Sequence, residues 1–85
     1  MRILHFESNF VVVELPKRRF PGIVVQGDTF ASFLNSVEEA RQQYTSGRFK
    51  EGGATLALLS DQLGDYLDRY ERVLREHQIR IPYTR

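Results

Sequence analysis

The stretch Phe20-Pro21-Gly22-Ile23-Val24-Val25-Gln26-Gly27-Asp28-Thr29 decides how this chain folds. An aromatic-Pro-Gly corner leads into a run of β-branched apolar residues, which reads as a short strand. The run stops at Gly27-Asp28-Thr29, and an amphipathic helical pattern begins at once. Gly27 is expected to supply the backbone freedom for a sharp strand-to-helix turn. Asp28 or Thr29 is expected to cap the first free amides of the helix. Pro21, Gly22, Gln26, Gly27 and Asp28 are therefore read as turn and cap residues. The segment specifies a handover from strand to helix and no reaction.

Upstream, Phe10-Val11-Val12-Val13-Glu14-Leu15 is the strongest strand signal, ended by Pro16. Residues 1–7 alternate weakly, and Ser8-Asn9 suits a two-residue turn because both side chains bond nearby backbone. Lys17-Arg18-Arg19 reads as an exposed basic loop. Downstream, Phe30, Phe33, Leu34, Val37, Arg41 and Tyr44 fall at helical spacing, and Gly47 is placed to end that helix. Residues 48–53 read as a loop with Gly52-Gly53 as a flexible joint. A second helix is expected over 54–78, about 37 Å long. Leu56, Leu59, Leu63, Tyr66, Tyr70, Val73 and His77 step along it by threes and fours, with Gly64 its weak point. Ile79-Arg80-Ile81-Pro82-Tyr83 alternates as an edge strand would, where Pro82 is tolerated. The expected fold is α+β and a single domain over residues 1–85. An antiparallel meander of two to three strands packs against two helices, the second long, with a short C-terminal edge strand as an option.

Composition bounds the function. The chain has 85 residues, 41% of them hydrophobic and ten of them aromatic, which suits a folded domain. A chain this short buries only about 60–65% of its unfolded surface, so a partner or second copy adds stability. Twelve basic and eleven acidic residues give +1, too balanced to announce nucleic acid or membrane by bulk charge. Without cysteine there is neither a disulfide framework nor thiolate chemistry, in keeping with a reducing cytoplasm. Met1–Asn9 holds no apolar core of signal-peptide length, and no run approaches the ~18–20 residues of a membrane span. A soluble, cytoplasmic protein is expected.

No catalytic constellation emerges. His5 and His77 are the only histidines, without cysteine or HxxxH spacing, so neither a metal nor any other cofactor is expected. His77 suits a helix C-terminus, where a cation or polar group complements the dipole. The pairs Asp65–Arg69, Asp68–Arg72 and Glu71–Arg75 are acid-to-base at i,i+4, the pattern of a solvated helix face. Ser32, Ser36, Ser46 and Ser60 have no base beside them and no GxSxG around them. Gln26-Gly27-Asp28-Thr29 is a poor anion site, since Asp28 repels the charge that free amides attract. Lys17, Arg18 and Arg19 remain as a patch for phosphates or an acidic protein.

Residues Phe10 to about Tyr44 resemble the N-terminal part of the HicB-type antitoxins. The likeness rests on Phe10–Leu15, Pro21-Gly22, Ile23–Val25, Gln26-Gly27-Asp28-Thr29 and a helix carrying Val37-Glu38-Glu39-Ala40. It implies a partial RNase-H-like fold without nuclease activity, used to cover a toxin. That family continues into a further strand and usually a DNA-binding module, where this chain has a long amphipathic helix and the tail IRIPY. The whole length also resembles short bacterial proteins of unknown function with an FPGxxxQGD core, a long helix and a Pro-Tyr terminus.

The expectation is a small non-catalytic bacterial protein that binds another protein, an antitoxin or immunity-type inhibitor. The alternatives are a nucleic-acid-binding regulator using the basic loop 17–19 and a homodimeric structural module. The expected interface is the stripe Leu59, Leu63, Tyr66, Tyr70 and Val73, since surplus apolar surface on the long helix marks an interface and tyrosine is enriched at binding hot spots. The expected partners are another protein, a second copy of the chain, or both; a membrane is not among them.

Overall fold

The computed structural model describes residues Met1–Arg85. Its elements are β1 (Arg2–Glu7), β2 (Phe10–Glu14), β3 (Gly22–Val24), α1 (Gly27–Thr45) and α2 (Phe49–Glu76). The strands form one antiparallel sheet in the order β1-β2-β3, and the α+β class expected from the sequence holds. The chain divides into two compact units, residues 1–25 with 66–85 and residues 26–65, a finer division than the single domain read from the sequence.

In the first unit, Glu7 pairs with Phe10 across Ser8-Asn9, the expected two-residue turn. Val12, central in β2, pairs with His5 on one side and Ile23 on the other. A bulge between Ile3 and His5 shifts the β1 register and leaves Leu4 against the core. The core is built of Phe10, Val12, Tyr70, Val73 and Leu74, with Ile23, Tyr66, Ile79 and Tyr83 packed around it. Each fully buried side chain of this kind contributes about 1.5–3 kcal/mol. The C-terminal part of α2 thus closes one face of the sheet.

The tail does not become a strand. After α2, Gln78 adopts φ 59°, and the amides of Gln78 and Ile79 bond the carbonyls of Arg75 and Leu74 at 3.0 and 2.8 Å. This Schellman closure reverses the chain and lays Ile79 on Leu74. Tyr83 then stacks on Tyr70, with ring centroids 6.5 Å apart and planes 13° apart. Residues 79–85 are held by side chains, which removes any need for ladder pairing.

The second unit is a helical hairpin. The α1 helix ends as expected at Gly47, whose φ of 77° suits only glycine well. Gly47 and Arg48 donate to the carbonyls of Tyr44 and Gln43 at 3.1 and 2.8 Å, and α2 starts at the next residue. The expected 48–53 loop is therefore corrected: Gly52-Gly53 lies inside α2 and is no joint. Gly52 is buried because the Tyr44 ring lies against it, leaving 2.9 Å to where a Cβ would stand.

The α1 N-terminus also differs from expectation. Gln26 is the N-cap, at φ −66° and ψ 148°, and its own side chain makes no capping hydrogen bond. Its carbonyl accepts the Phe30 amide at 3.0 Å. Gly27 is already helical with no positive φ, so the turn needs no glycine freedom. Asp28 sits in the first turn, where its charge complements the dipole, and its Oδ1 accepts the Thr29 amide at 2.9 Å.

Candidate protein-binding surfaces

The inward positions of α1 are Thr29, Phe33, Ser36, Ala40 and Gln43, spaced four and three. On α2 the matching positions are Gly52, Thr55 and Leu59. This seam is made largely of small or polar residues. Gln43 is buried in it and accepts the Thr55 hydroxyl at 2.8 Å, a polar contact that fixes the register of the hairpin.

The apolar stripe of α1 lies one residue further on, rotated about 100° from the seam. Phe30 is 66% exposed and Leu34 55%, with Val37 and Tyr44 also exposed. Of the three aromatics on α1, only Phe33 is partly buried. On α2, Leu56 likewise follows the seam by one residue, and Leu63 lies near it; both are exposed. In antiparallel helices, equal offsets from the seam fall on the same side of the pair. The rings of Tyr44 and Phe49 meet there at 6.0 Å. The opposite side of α1 carries exposed Asp28, Ser32, Asn35, Glu39 and Gln42. Helix α1 is thus apolar on one side and polar on the other.

The expected interface stripe on α2 splits. Tyr70 and Val73 are core residues and Leu59 is buried, whereas Leu63 is exposed and Tyr66 half-buried against Phe10. The Tyr70 hydroxyl donates to the Pro21 carbonyl at 2.5 Å, clamping the Pro-Gly corner onto the helix. Gly22 opens β3 and leaves 3.1 Å to Leu15 Cδ1 at its Cβ position.

The sheet is apolar on both faces. Partners in an antiparallel pair share a face, so Phe6, Val11 and Val24 form a row pointing away from the core, with Ile3 and the buried Val13 beside it. Phe6 is 71% exposed and Ile3 56%. Beyond the end of β2, the Arg18 amide bonds the Leu15 carbonyl at 3.2 Å, closing a turn in which Lys17 takes φ 62°. Lys17, Arg18 and Arg19 are exposed on it. Glu14, Leu15, Arg18, Arg19, Phe20, Pro21 and Ile79 line a groove of about 310 Å³.

Several charged groups elsewhere have structural partners. His5 and the Glu7 carboxylate meet at 2.6 Å, and this hydrogen bond lowers the Glu7 pKa. His77 Nδ1 lies 2.9 Å from the Val73 carbonyl at the end of α2. Asp68 is engaged by Arg85 in place of the expected Arg72. Glu71 binds Arg85 at 2.9 Å and the Tyr83 hydroxyl at 3.0 Å, and Arg75 at 3.6 Å. Burial, then the bond to Glu71, pushes the Tyr83 pKa up to about 12. No group of three or more His, Cys, Asp or Glu side chains is placed to hold a metal. No helix is long and apolar enough to cross a membrane.

Residues 1–83 match a family of unknown function (DUF6959). The chain belongs to that family. Neither a curated protein nor a solved structure matches it. Sequence reasoning missed Ile3 and Phe6 as surface residues because the bulge at Leu4 hides the alternation of β1. It missed the outward turn of Phe30 and Leu34 because it ranked positions by apolarity, whereas the buried Ala40 and Gln43 mark the inward side.

Proposed function

We propose that the chain is a small non-catalytic protein-binding domain of the bacterial cytoplasm, an antitoxin or immunity-type inhibitor. The outward face of the sheet meets the partner. The observation that carries this is the row Phe6, Val11 and Val24 with Ile3, apolar and largely uncovered on a sheet whose other face is already packed. An uncovered aromatic set among aliphatics is the kind of anchor on which binding hot spots form. The nearby cations of Lys17, Arg18 and Arg19 add a preference for an acidic partner, which speeds encounter more than it tightens the complex. The likeness of residues 10–44 to HicB-type antitoxins supports the same reading. Three cations are few beside the roughly 6–10 phosphate contacts of a salt-sensitive DNA complex, which favours protein over nucleic acid.

The test uses the gene next to this one. Its product, expressed alone, is expected to arrest growth, and co-expression of this chain is expected to relieve the arrest. Phe6→Ser is expected to abolish relief while the chain stays folded by circular dichroism. A harmless neighbouring product, or full relief by folded Phe6→Ser, refutes the assignment.

A further inference from the structure

We propose that a second copy of this chain covers the apolar side of the hairpin, so that two hairpins pack as a four-helix bundle around a two-fold axis. The side formed by Phe30, Leu34, Val37, Tyr44, Leu56 and Leu63, with Phe49 at its end, presents roughly 650 Å² of apolar surface, taking about 150–250 Å² for a whole large side chain. The largest apolar patch on a typical monomer is about 300–600 Å², so this one exceeds the norm. A standard interface takes about 800 Å² from each partner. The rim residues Glu38 and Arg41 bring the patch close to that area.

Charge selects the second copy over a different protein. The stripe carries one charge, Arg41, with Glu38 beside it at 3.6 Å, so the side has no net charge. Depletion of charge with a high apolar share is the mark of homodimer interfaces, which resemble a core cut in half. A two-fold axis makes any contact reciprocal, so Arg41 of each copy can meet the opposite Glu38 without repulsion. The hairpin itself needs such cover. Its seam buries Leu59 and Ala40 but otherwise offers mostly glycine, serine, threonine and glutamine. Few apolar side chains in the seam leave a helix pair dependent on further packing. The spacing of four and three along Phe30, Leu34, Val37, Arg41 and Tyr44 is the repeat that packs into a facing helix.

This interface uses none of the residues assigned to the sheet-face partner, so either assignment can fail alone. Sedimentation equilibrium of the whole chain is expected to give twice the 9.9 kDa of one copy. Leu34→Glu is expected to weaken the dimer at least a hundredfold. Leu58→Glu, exposed on the other side of α2, is expected to change it less than threefold. Should Leu34→Glu fail to fold, thiol alkylation gives a second readout in this cysteine-free chain. Alkylation of Leu34→Cys should slow at least tenfold as protein concentration rises, and that of Leu58→Cys should not. A 9.9 kDa particle at the highest soluble concentration, or equal responses at positions 34 and 58, overturns the proposal.

Discussion

Gly52 and Gly53 are neighbours on one helix, yet they face opposite constraints. Alanine in place of helical glycine gains about 1 kcal/mol from lower backbone entropy in the unfolded chain. At Gly53 the added Cβ meets only the Tyr44 hydroxyl at 3.7 Å, an ordinary contact. Gly53→Ala is therefore expected to raise stability by about 0.5–1 kcal/mol. At Gly52 the Cβ meets two ring carbons of Tyr44 at 2.9 Å, and overpacking of this kind costs about 1–3 kcal/mol. Gly52→Ala is expected to lower stability, and adding Tyr44→Ala is expected to recover part of the loss; urea unfolding of the four proteins measures both. The sequence marked the pair only as flexible, because what distinguishes them is a ring packed from another helix. Gly47 was legible, since a glycine just after a helical pattern has one common meaning. Gln78 was not, since a glutamine at φ 59° carries no mark in the sequence.

The α2 helix shows how far an apolar stripe can be read. Its C-terminal part packs the sheet as the periodicity implies, but the periodicity does not distinguish a core tyrosine from an interface tyrosine. The buried bond from the Tyr70 hydroxyl to the Pro21 carbonyl decides the matter for Tyr70. Tyr70→Ala is expected to cost about 3–5 kcal/mol of folding stability. Tyr70→Phe, which keeps the ring and removes the bond, is expected to cost about 1–2 kcal/mol. Chemical denaturation followed by circular dichroism checks both. The tail adds a pH signature. The folded chain holds the Tyr83 phenol protonated up to about pH 12, chiefly through burial, whereas an unfolded tyrosine titrates near pH 10. The folded pKa is the raised one, so this contribution is fully present below about pH 10 and is lost as pH rises toward about 12. Tyr83→Phe is expected to flatten the alkaline fall in melting temperature over that window. The acid-to-base pattern on α2 gave no hint of this network, because Arg85 and Tyr83 reach Asp68 and Glu71 from a tail beyond the helix.

Across the chain, the strands, both helices and the two-residue turn were legible, because each rests on local spacing and short-range chemistry. The surfaces were not. Which face of α1 turns inward is marked by the buried Ala40 and Gln43, and which side of β1 faces out depends on one bulged residue, Leu4. Both surfaces stay apolar where the chain itself supplies no cover, and the proposed protein-binding role rests on that exposure. Photo-crosslinking in the native cell tests this directly, with a benzophenone side chain placed at Phe6 in one strain and at Leu34 in another. The account predicts one discrete heterologous adduct from position 6 and an adduct of twice the chain mass from position 34. Finding no adduct from either position, or only the same diffuse background seen from the polar position Asn35, would contradict it.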